Sequence, residues 1–131
     1  MKKFILSSLF LMGLVSYAST YRNGVYRGSF ISGQENQVEV QFKIKDDIIS
    51  NTKFRTLFYK KNDYLKNKEL EDEKNRYQEA LKFTEGKKVN EALEALYFPE
   101  DIPRAGATIR ASKIRAAMQN AINSGAYKIE K

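Results

Sequence analysis

The alternation of apolar and polar residues in the first half of the chain is the feature that most constrains its fold. Apolar residues stand at every second position from Val38 to Ile44, and the residues between them are polar or charged. A period of two places the apolar side chains on one face of a strand, so this segment predicts a strand with one buried and one solvated face. The runs 25–31 and 48–59 are also rich in apolar and aromatic residues and are bounded by turn residues. We therefore expect three antiparallel strands joined as a meander, with Asp46-Asp47 forming the second turn.

For two sets of side chains in these strands the sequence predicts a specific location. In the third strand, a shared face is expected for Thr52, Phe54, Thr56 and Phe58. Five aromatic residues are expected to belong to the core rather than to stack on a flavin: Tyr26, Phe30, Phe42, Phe54 and Phe58.

The second half of the chain has the spacing of helices. A charged helix is predicted over residues 64–83, and Gly86 ends it; its thin apolar stripe comprises Leu70, Tyr77, Ala80 and Leu81. A short helix follows, with Val89, Ala92, Leu93 and Leu96 on one side. The last helix is expected to begin at Ile109 and to end before Gly125; its apolar face comprises Ile114, Ala117, Met118, Ala121 and Ile122. The predicted fold is α+β, an antiparallel sheet of three or more strands with helices packed on one face.

The N-terminus has the pattern of a secretory signal peptide. Lys2 and Lys3 precede an apolar run over residues 4–15, and Ser16-Tyr17-Ala18 supplies small residues where a signal peptidase cleaves. An uncleaved N-terminal anchor is the competing interpretation, although the run is short for a membrane span. We predict a signal peptide over residues 1–18, one domain over residues 19–131, and export to the periplasm or the extracellular space. Removing the leader lowers the formal net charge from +7 to +5, and basic and acidic residues are intermixed along the remaining chain.

The absence of histidine and cysteine excludes many kinds of chemistry. A chain without them forms no disulfide, no iron–sulfur cluster and no imidazole-dependent catalytic or ordinary zinc site. The chain has two clusters of acidic residues. Asp46-Asp47 fits a turn, and residues 71–73 fit a solvated helix face, better than either fits an acid–base site. No catalytic residue and no metal site is predicted, so any chemistry is expected to come from a cofactor that needs neither ligand, such as a flavin.

Residues 105–112, Ala-Gly-Ala-Thr-Ile-Arg-Ala-Ser, combine a glycine turn, a hydroxyl residue and a helix start. Gly106 lets a backbone or a ligand approach closely because it has no Cβ. The unpaired N–H groups and the dipole of the following helix would attract a phosphate near Thr108. An ordinary capped helix remains the alternative at this stage.

Three segments of the chain resemble the small FMN-binding domain family, which includes flavin-bearing subunits of sodium-pumping quinone reductases and related membrane electron-transfer complexes. Residues 105–117 resemble the family's C-terminal motif, Ser/Thr-Gly-Ala-Thr followed by a helix, whose Thr can carry FMN through a phosphodiester bond. Residues 21–28 and 38–46 resemble its opening Asp-Gly-x-Tyr-x-Gly and the amphipathic strand that follows. The resemblance implies FMN in a cleft at the start of the last helix, held by Arg104, Gly106, Ala107, Thr108, Ile109 and Ser112. Arg110 and Lys113 are near enough in sequence to add positive charge.

The function implied by the resemblance is that of an exported FMN-binding electron carrier. Such a domain would pass electrons to or from a redox partner at the membrane or cell surface, and would not be a stand-alone enzyme. The alternative is a flavin-free binding or structural module that retains the fold. Nucleic-acid binding ranks below both, because the chain is expected to be exported and no concentrated basic face is expected.

The chain departs from the family pattern for covalent attachment. That pattern is Asp, two variable residues, Ser or Thr, then Gly-Ala-Thr. Here Ala105 stands at the Ser/Thr position and Ile102 at the Asp position, while Asp101 is one residue too far upstream. A transferase that recognises these groups discriminates strongly against their loss. We therefore expect FMN to be held without a covalent bond.

Overall fold

A computed structural model describes residues 19–102 and 108–130 of the chain. Its strands are β1 (Gly24–Ser32), β2 (Glu35–Lys45), β3 (Ile48–Tyr59), β4 (Asn62–Asp63) and β5 (Lys128–Ile129). Its α-helices are α1 (Glu71–Lys82), α2 (Val89–Ala95) and α3 (Thr108–Ser124). The strands form one antiparallel sheet in the order β4-β3-β2-β1-β5, which confirms the α+β prediction. The short strands β4 and β5 were not predicted, because two residues are too few to show a period.

The predicted meander of β1, β2 and β3 is confirmed. Tyr26 of β1 lies opposite Phe42 of β2, and their rings stack with centroids 5.8 Å apart. Asp46 and Asp47 join β2 to β3 with φ values of 52° and 66°. A two-residue hairpin turn needs this left-handed backbone, which aspartate tolerates better than most residues.

The prediction of one shared face along β3 is wrong, because irregularities interrupt its pairing with β2. Phe54 lies opposite Val40, but Leu57 rather than Thr56 lies opposite Val38. An extra residue in one strand switches the side chains that follow it to the other face. Leu57 is buried as a result, whereas the Thr56 hydroxyl donates a hydrogen bond to Glu39 on the opposite face.

The core lies between the sheet and α3. Along α3 the buried residues include Ala111, Ile114, Ala117, Met118 and Ala121, in agreement with the predicted apolar face, and Ile122 is partly buried against them. The helix begins at Thr108, one residue earlier than expected, and ends before Gly125, whose φ is 83°. Of the predicted core aromatics, Tyr26 and Phe42 are buried, Phe30 and Phe54 are partly buried against the core, and Phe58 is half-buried after the β3 irregularity.

Gly28 allows α3 to pack directly on β1. A Cβ at this position would lie 2.1 Å from the carbonyl oxygen of Ala117 and 2.3 Å from the amide nitrogen of Ala121. Both atoms belong to the helix backbone, which a side-chain rotation does not move. The strand and the helix approach this closely only because residue 28 has no side chain.

The helix predicted over residues 64–83 is shorter than expected. A 3₁₀ turn covers Lys68–Leu70, and α1 begins at Glu71. Two polar side chains give the preceding backbone a turn instead: Asp63 accepts from the amide of Leu65, and Asn67 accepts from the amide of Glu69. Such local hydrogen bonds compete with helix formation. The predicted stripe is otherwise correct, since Tyr77, Ala80 and Leu81 are buried, as are Val89, Ala92 and Leu96 in and just after α2.

Candidate functional site

The predicted cofactor site centres on the start of α3. Thr108 and Ile109 are its first two residues. Their side chains, and the whole of Arg104, Gly106 and Ala107, lie outside the described residues, so their roles stay predictions. Ser112 is described and is exposed.

Three other parts of the fold contact α3 within or next to its N-terminal half. Gly28 packs on Ala117, which places the N-terminal half of the helix beside the β1–β2 hairpin. Lys113 Nζ lies 4.2 Å from the ring centroid of Tyr59 at the end of β3. The guanidinium of Arg110 donates to Glu73 of α1. The start of α3 therefore lies against one end of the sheet and against α1.

Lys113 is a cation in a partly desolvated position. Burial lowers the pKa of its ammonium group below the ordinary value, and the carboxylate of Glu35 partly offsets that effect. The ring of Tyr59 contributes a cation–π contact. A cation that has lost part of its hydration is well suited to bind an anion, because less water must be displaced.

Glu35 is held in place by the turn after β3. Its carboxylate accepts hydrogen bonds from the amides of Lys60 and Lys61, at 3.2 and 3.4 Å, and from Gln37 Nε2 at 2.8 Å. Desolvation alone would raise the pKa of Glu35, but these hydrogen bonds lower it below the ordinary value. The carboxylate is thus anionic at neutral pH and compensates part of the charge of Lys113.

Aromatic rings line the space between β3, α1 and the start of α3. Tyr77 packs edge-on against Phe54 with ring centroids 6.2 Å apart, and Tyr64 lies 6.0 Å from Tyr77. Burial raises the pKa of Tyr77 to about 12 and also raises the pKa of Tyr64. Both phenols are therefore neutral under ordinary conditions, and the region combines aromatic side chains with two nearby cations, Lys113 and Arg110.

Arg110 is engaged with the protein itself. Its Nε lies 2.6 Å from Glu73 Oε1, and its guanidinium carbon lies 5.9 Å from the ring centroid of Tyr77. The side chain is largely buried and its charge is balanced by Glu73. The pair ties the first turn of α3 to α1, so Arg110 positions the helix whether or not it also meets a ligand.

The site contains residues that the sequence did not single out. Tyr59, Tyr64 and Tyr77 were predicted as strand or helix residues, and Glu73 as part of a solvated helix face. Glu35 lies between two predicted strands and had no predicted role. Each of these residues is far from α3 in sequence, so no spacing connects it with Thr108. The predicted helix period did indicate that Tyr77 is buried, and this was the only available signal.

The position that the attachment pattern gives to aspartate is occupied by a core residue. Ile102 is buried, with 3% of its surface exposed, and packs in the main hydrophobic cluster. Asp101 is exposed at the end of the 3₁₀ turn Pro99–Asp101. At the position where the attachment pattern has aspartate, this chain therefore has an apolar side chain buried in the core.

Two surface depressions among the described residues lie at the opposite end of α3. Two hollows of about 450 and 400 Å³ are formed mainly by residues 19–23 with the segment that follows α3. Seventeen helical residues separate the two ends by about 25 Å. The predicted cofactor cleft involves residues 103–107, which are not described, and it stays a prediction.

Within residues 19–102 and 108–130, no group of three or more acidic side chains is arranged to hold a metal ion. The same residues include no helix that is long and apolar enough to cross a membrane.

Comparison of the chain with protein-family models, curated proteins and solved structures finds no match. The likeness to FMN-binding domains therefore depends on the three sequence segments described above.

Proposed function

We propose that this chain is an exported FMN-binding protein that carries electrons to or from a redox partner at the membrane or cell surface. The observation that carries the proposal is the position of the Gly-Ala-Thr motif. Its Thr108 is the first residue of α3, and the two other segments that resemble FMN-binding domains overlap the first part of β1 and most of β2, on which α3 packs.

The residues around the start of α3 fit a flavin mononucleotide in charge and in polarity. The amides of the first helical turn have no carbonyl partner within the helix, so they are available to a phosphate. Lys113 supplies a positive charge close by, and Tyr59, Tyr64 and Phe54 supply an aromatic surface. A dianionic phosphate joined to a planar apolar ring requires these two kinds of surface side by side.

The bound isoalloxazine would supply the redox chemistry, as flavins do without histidine or cysteine from the protein. The chain's own contribution is to bind and orient. The Arg110–Glu73 pair fixes the first turn of α3 against α1, while Glu35 and Tyr59 hold the ammonium of Lys113 at the edge of the site. These residues perform no proton transfer in the proposal, in agreement with the expected absence of a catalytic residue.

A flavin-free binding or structural module is the second candidate, and one observation favours it. The two cations in the first two turns of α3 already have partners in the protein: Arg110 contacts Glu73, and Lys113 contacts Tyr59 and lies near Glu35. Because these positive charges already interact with protein groups, an anionic ligand at the start of α3 would gain less from them.

Titration with FMN distinguishes the two candidates. Protein purified after export is titrated with FMN, and binding is followed by quenching of flavin fluorescence. Thr108→Glu places a negative charge at the predicted phosphate position and is expected to weaken binding by at least tenfold, since a charge-assisted phosphate contact is worth about 1.5–3 kcal/mol. Gln119→Glu is the matched control: it adds the same charge to α3 about 16 Å further along and should bind as the parent does.

A parent protein that neither contains nor takes up FMN would overturn the electron-carrier proposal and support the flavin-free candidate. Equal affinities of the parent and Thr108→Glu would show that the phosphate binds elsewhere. For a protein that does bind flavin, denaturation followed by separation of chain and small molecules tests the attachment. We expect the flavin to separate from the chain, because Ile102 and Ala105 replace the groups of the attachment pattern.

A further inference from the structure

The sheet has one face that the helices leave open. Side chains alternate along each strand. Those of Tyr26, Val40 and Phe42 are directed towards the helices, and Gly28 lies on the same face against the backbone of α3. The other face of β1, β2, β3 and β5 is solvated, and we call it the open face. Its charged residues are six cations, Arg27, Lys43, Lys45, Lys53, Arg55 and Lys128, and two acids, Glu39 and Glu130.

The contacts on the open face confirm that these residues are neighbours. Arg27 Nε donates to Gln41 Oε1 at 2.7 Å across the β1–β2 pair. Lys43 Nζ lies 3.0 Å from Glu130, and Arg55 Nε lies 3.7 Å from Glu39. Both acids of the open face therefore already form ion pairs, and Lys45, Lys53 and Lys128 have no ion pair within the described residues.

The tertiary structure places basic residues that are separate in the sequence on one surface. Eleven of the sixteen acidic residues lie between Asp63 and Asp101, in and around α1 and α2. The strands that form the open face contain few acids. The open face therefore has a net charge of +4, six cations against two acids, whereas the segment from Asp63 to Asp101 has eleven acids against seven bases.

We propose that the open face is a docking surface for an anionic phospholipid bilayer. A bilayer is planar and densely anionic, and a sheet face presents its cations over a comparably broad surface. Each cation near an anionic membrane strengthens binding by about fivefold, and the effect falls off within a Debye length. The proposal concerns a second surface and does not depend on FMN.

An aromatic residue on the open face favours a membrane over a nucleic acid. Tyr127 is 62% exposed, and the guanidinium carbon of Arg27 lies 4.0 Å from its ring centroid. Tyrosine is enriched at the membrane–water interface, where the ring contacts lipid and the hydroxyl stays hydrated. The predicted export signal also brings the chain to a membrane rather than to a nucleic acid.

Vesicle co-sedimentation tests the proposal with three lysines removed from the open face. The triple variant Lys45→Gln, Lys53→Gln, Lys128→Gln is compared with a control that removes three exposed lysines elsewhere, Lys66→Gln, Lys68→Gln, Lys82→Gln. Both variants have the same net charge and the same N-terminus. Vesicles of phosphatidylcholine with roughly one-quarter phosphatidylglycerol provide the anionic surface. Vesicles of phosphatidylcholine alone measure any insertion of an apolar N-terminal segment.

The parent is expected to bind the anionic vesicles, to lose binding at high salt, and to bind phosphatidylcholine far less. The open-face variant should lose on the order of a hundredfold in partition coefficient, and the control variant less than about threefold. Equal losses in both variants would mean that net charge alone drives binding and would overturn the proposal. So would equal binding to the two kinds of vesicle, or retention of the parent by a DNA duplex but not by anionic vesicles. Circular dichroism and thermal melting show that both variants are folded.

Discussion

The two faces of the central sheet come from the same three strands but differ in what they contact. On the covered face, Gly28 lies against the backbone of α3, and Val40 and Ile44 are completely buried. On the open face, Lys53 and Lys128 are exposed to solvent, and the contacts of Arg27 are with a neutral amide and a ring. One face is tightly packed, and the other is loosely packed and carries charge.

This difference indicates which positions affect the stability of the fold and which affect binding. A buried position contributes through area removed from water and through close packing, so a change there alters the free energy of unfolding. An exposed charge contributes little to that free energy and acts on association instead. Substitutions on the two faces should therefore separate effects on stability from effects on binding.

Substitution of Gly28 by valine should have the largest effect. Its side chain would overlap the backbone of Ala117 and Ala121, and α3 would have to move away from β1. We expect a loss of about 3 kcal/mol or more in the free energy of unfolding, measured by chemical denaturation. The adjacent Ser29→Val points to the open face and should cost less than about 1 kcal/mol. A stable Gly28→Val protein would contradict the packing of α3 on β1.

Alkaline pH should destabilise the covered side through Tyr77. The folded-state pKa of about 12 is higher than the ordinary tyrosine value of 10.0, so the unfolded chain loses its proton first. Stability is then fully present below about pH 10 and falls as the pH rises towards about 12, by on the order of 2–3 kcal/mol. Tyr77→Phe should remove most of this fall, and the remainder comes from Tyr26 and Tyr64, whose pKa values are also raised. The prediction fails if denaturation curves of the parent and Tyr77→Phe have the same pH dependence between pH 9 and 12.

Loss of the ion pair between α1 and α3 should have an intermediate effect. Glu73→Gln leaves the largely buried guanidinium of Arg110 without its carboxylate, and we expect a cost of about 1–2 kcal/mol. Asp72→Asn is the control, because Asp72 is exposed and pairs with Arg76 at 3.4 Å within one helix; its loss should cost under about 0.5 kcal/mol. Equal effects of the two substitutions, measured by thermal unfolding, would contradict the role given to the Arg110–Glu73 pair.

Neutralising an open-face lysine should leave stability almost unchanged. Lys53 is exposed and has no ion pair within the described residues, so Lys53→Gln should alter the free energy of unfolding by less than about 0.5 kcal/mol. The same substitution should weaken binding to anionic vesicles by about fivefold. A stability loss above about 1 kcal/mol would show that the open face contributes to folding, and the contrast between the two faces would then be incorrect.

Local sequence patterns determined most of the secondary structure. The period-two alternation from Val38 to Ile44 predicted β2, and the 3.6-residue spacing of Ile114, Ala117 and Met118 predicted α3 and its buried face. Gly125 predicted the end of that helix. These signals are local because hydrophobic periodicity and turn preferences act over a few residues. The Gly-Ala-Thr motif likewise predicted that the last helix begins beside Thr108, while the ligand of that site stays a proposal.

Only the tertiary structure decided which distant residues meet. The irregularities of β3 exchanged Thr56 for Leu57 in the core, because strand register depends on the partner strand. Arg110 met Glu73 across 37 residues, and Lys113 met Tyr59, through the packing of α3 on α1 and on the sheet. The basic residues that are intermixed with acids along the sequence became one cationic surface, since pleating places alternate side chains of adjacent strands on the same face. Contacts of this kind depend on how separate elements pack in space, which no local pattern in the chain encodes.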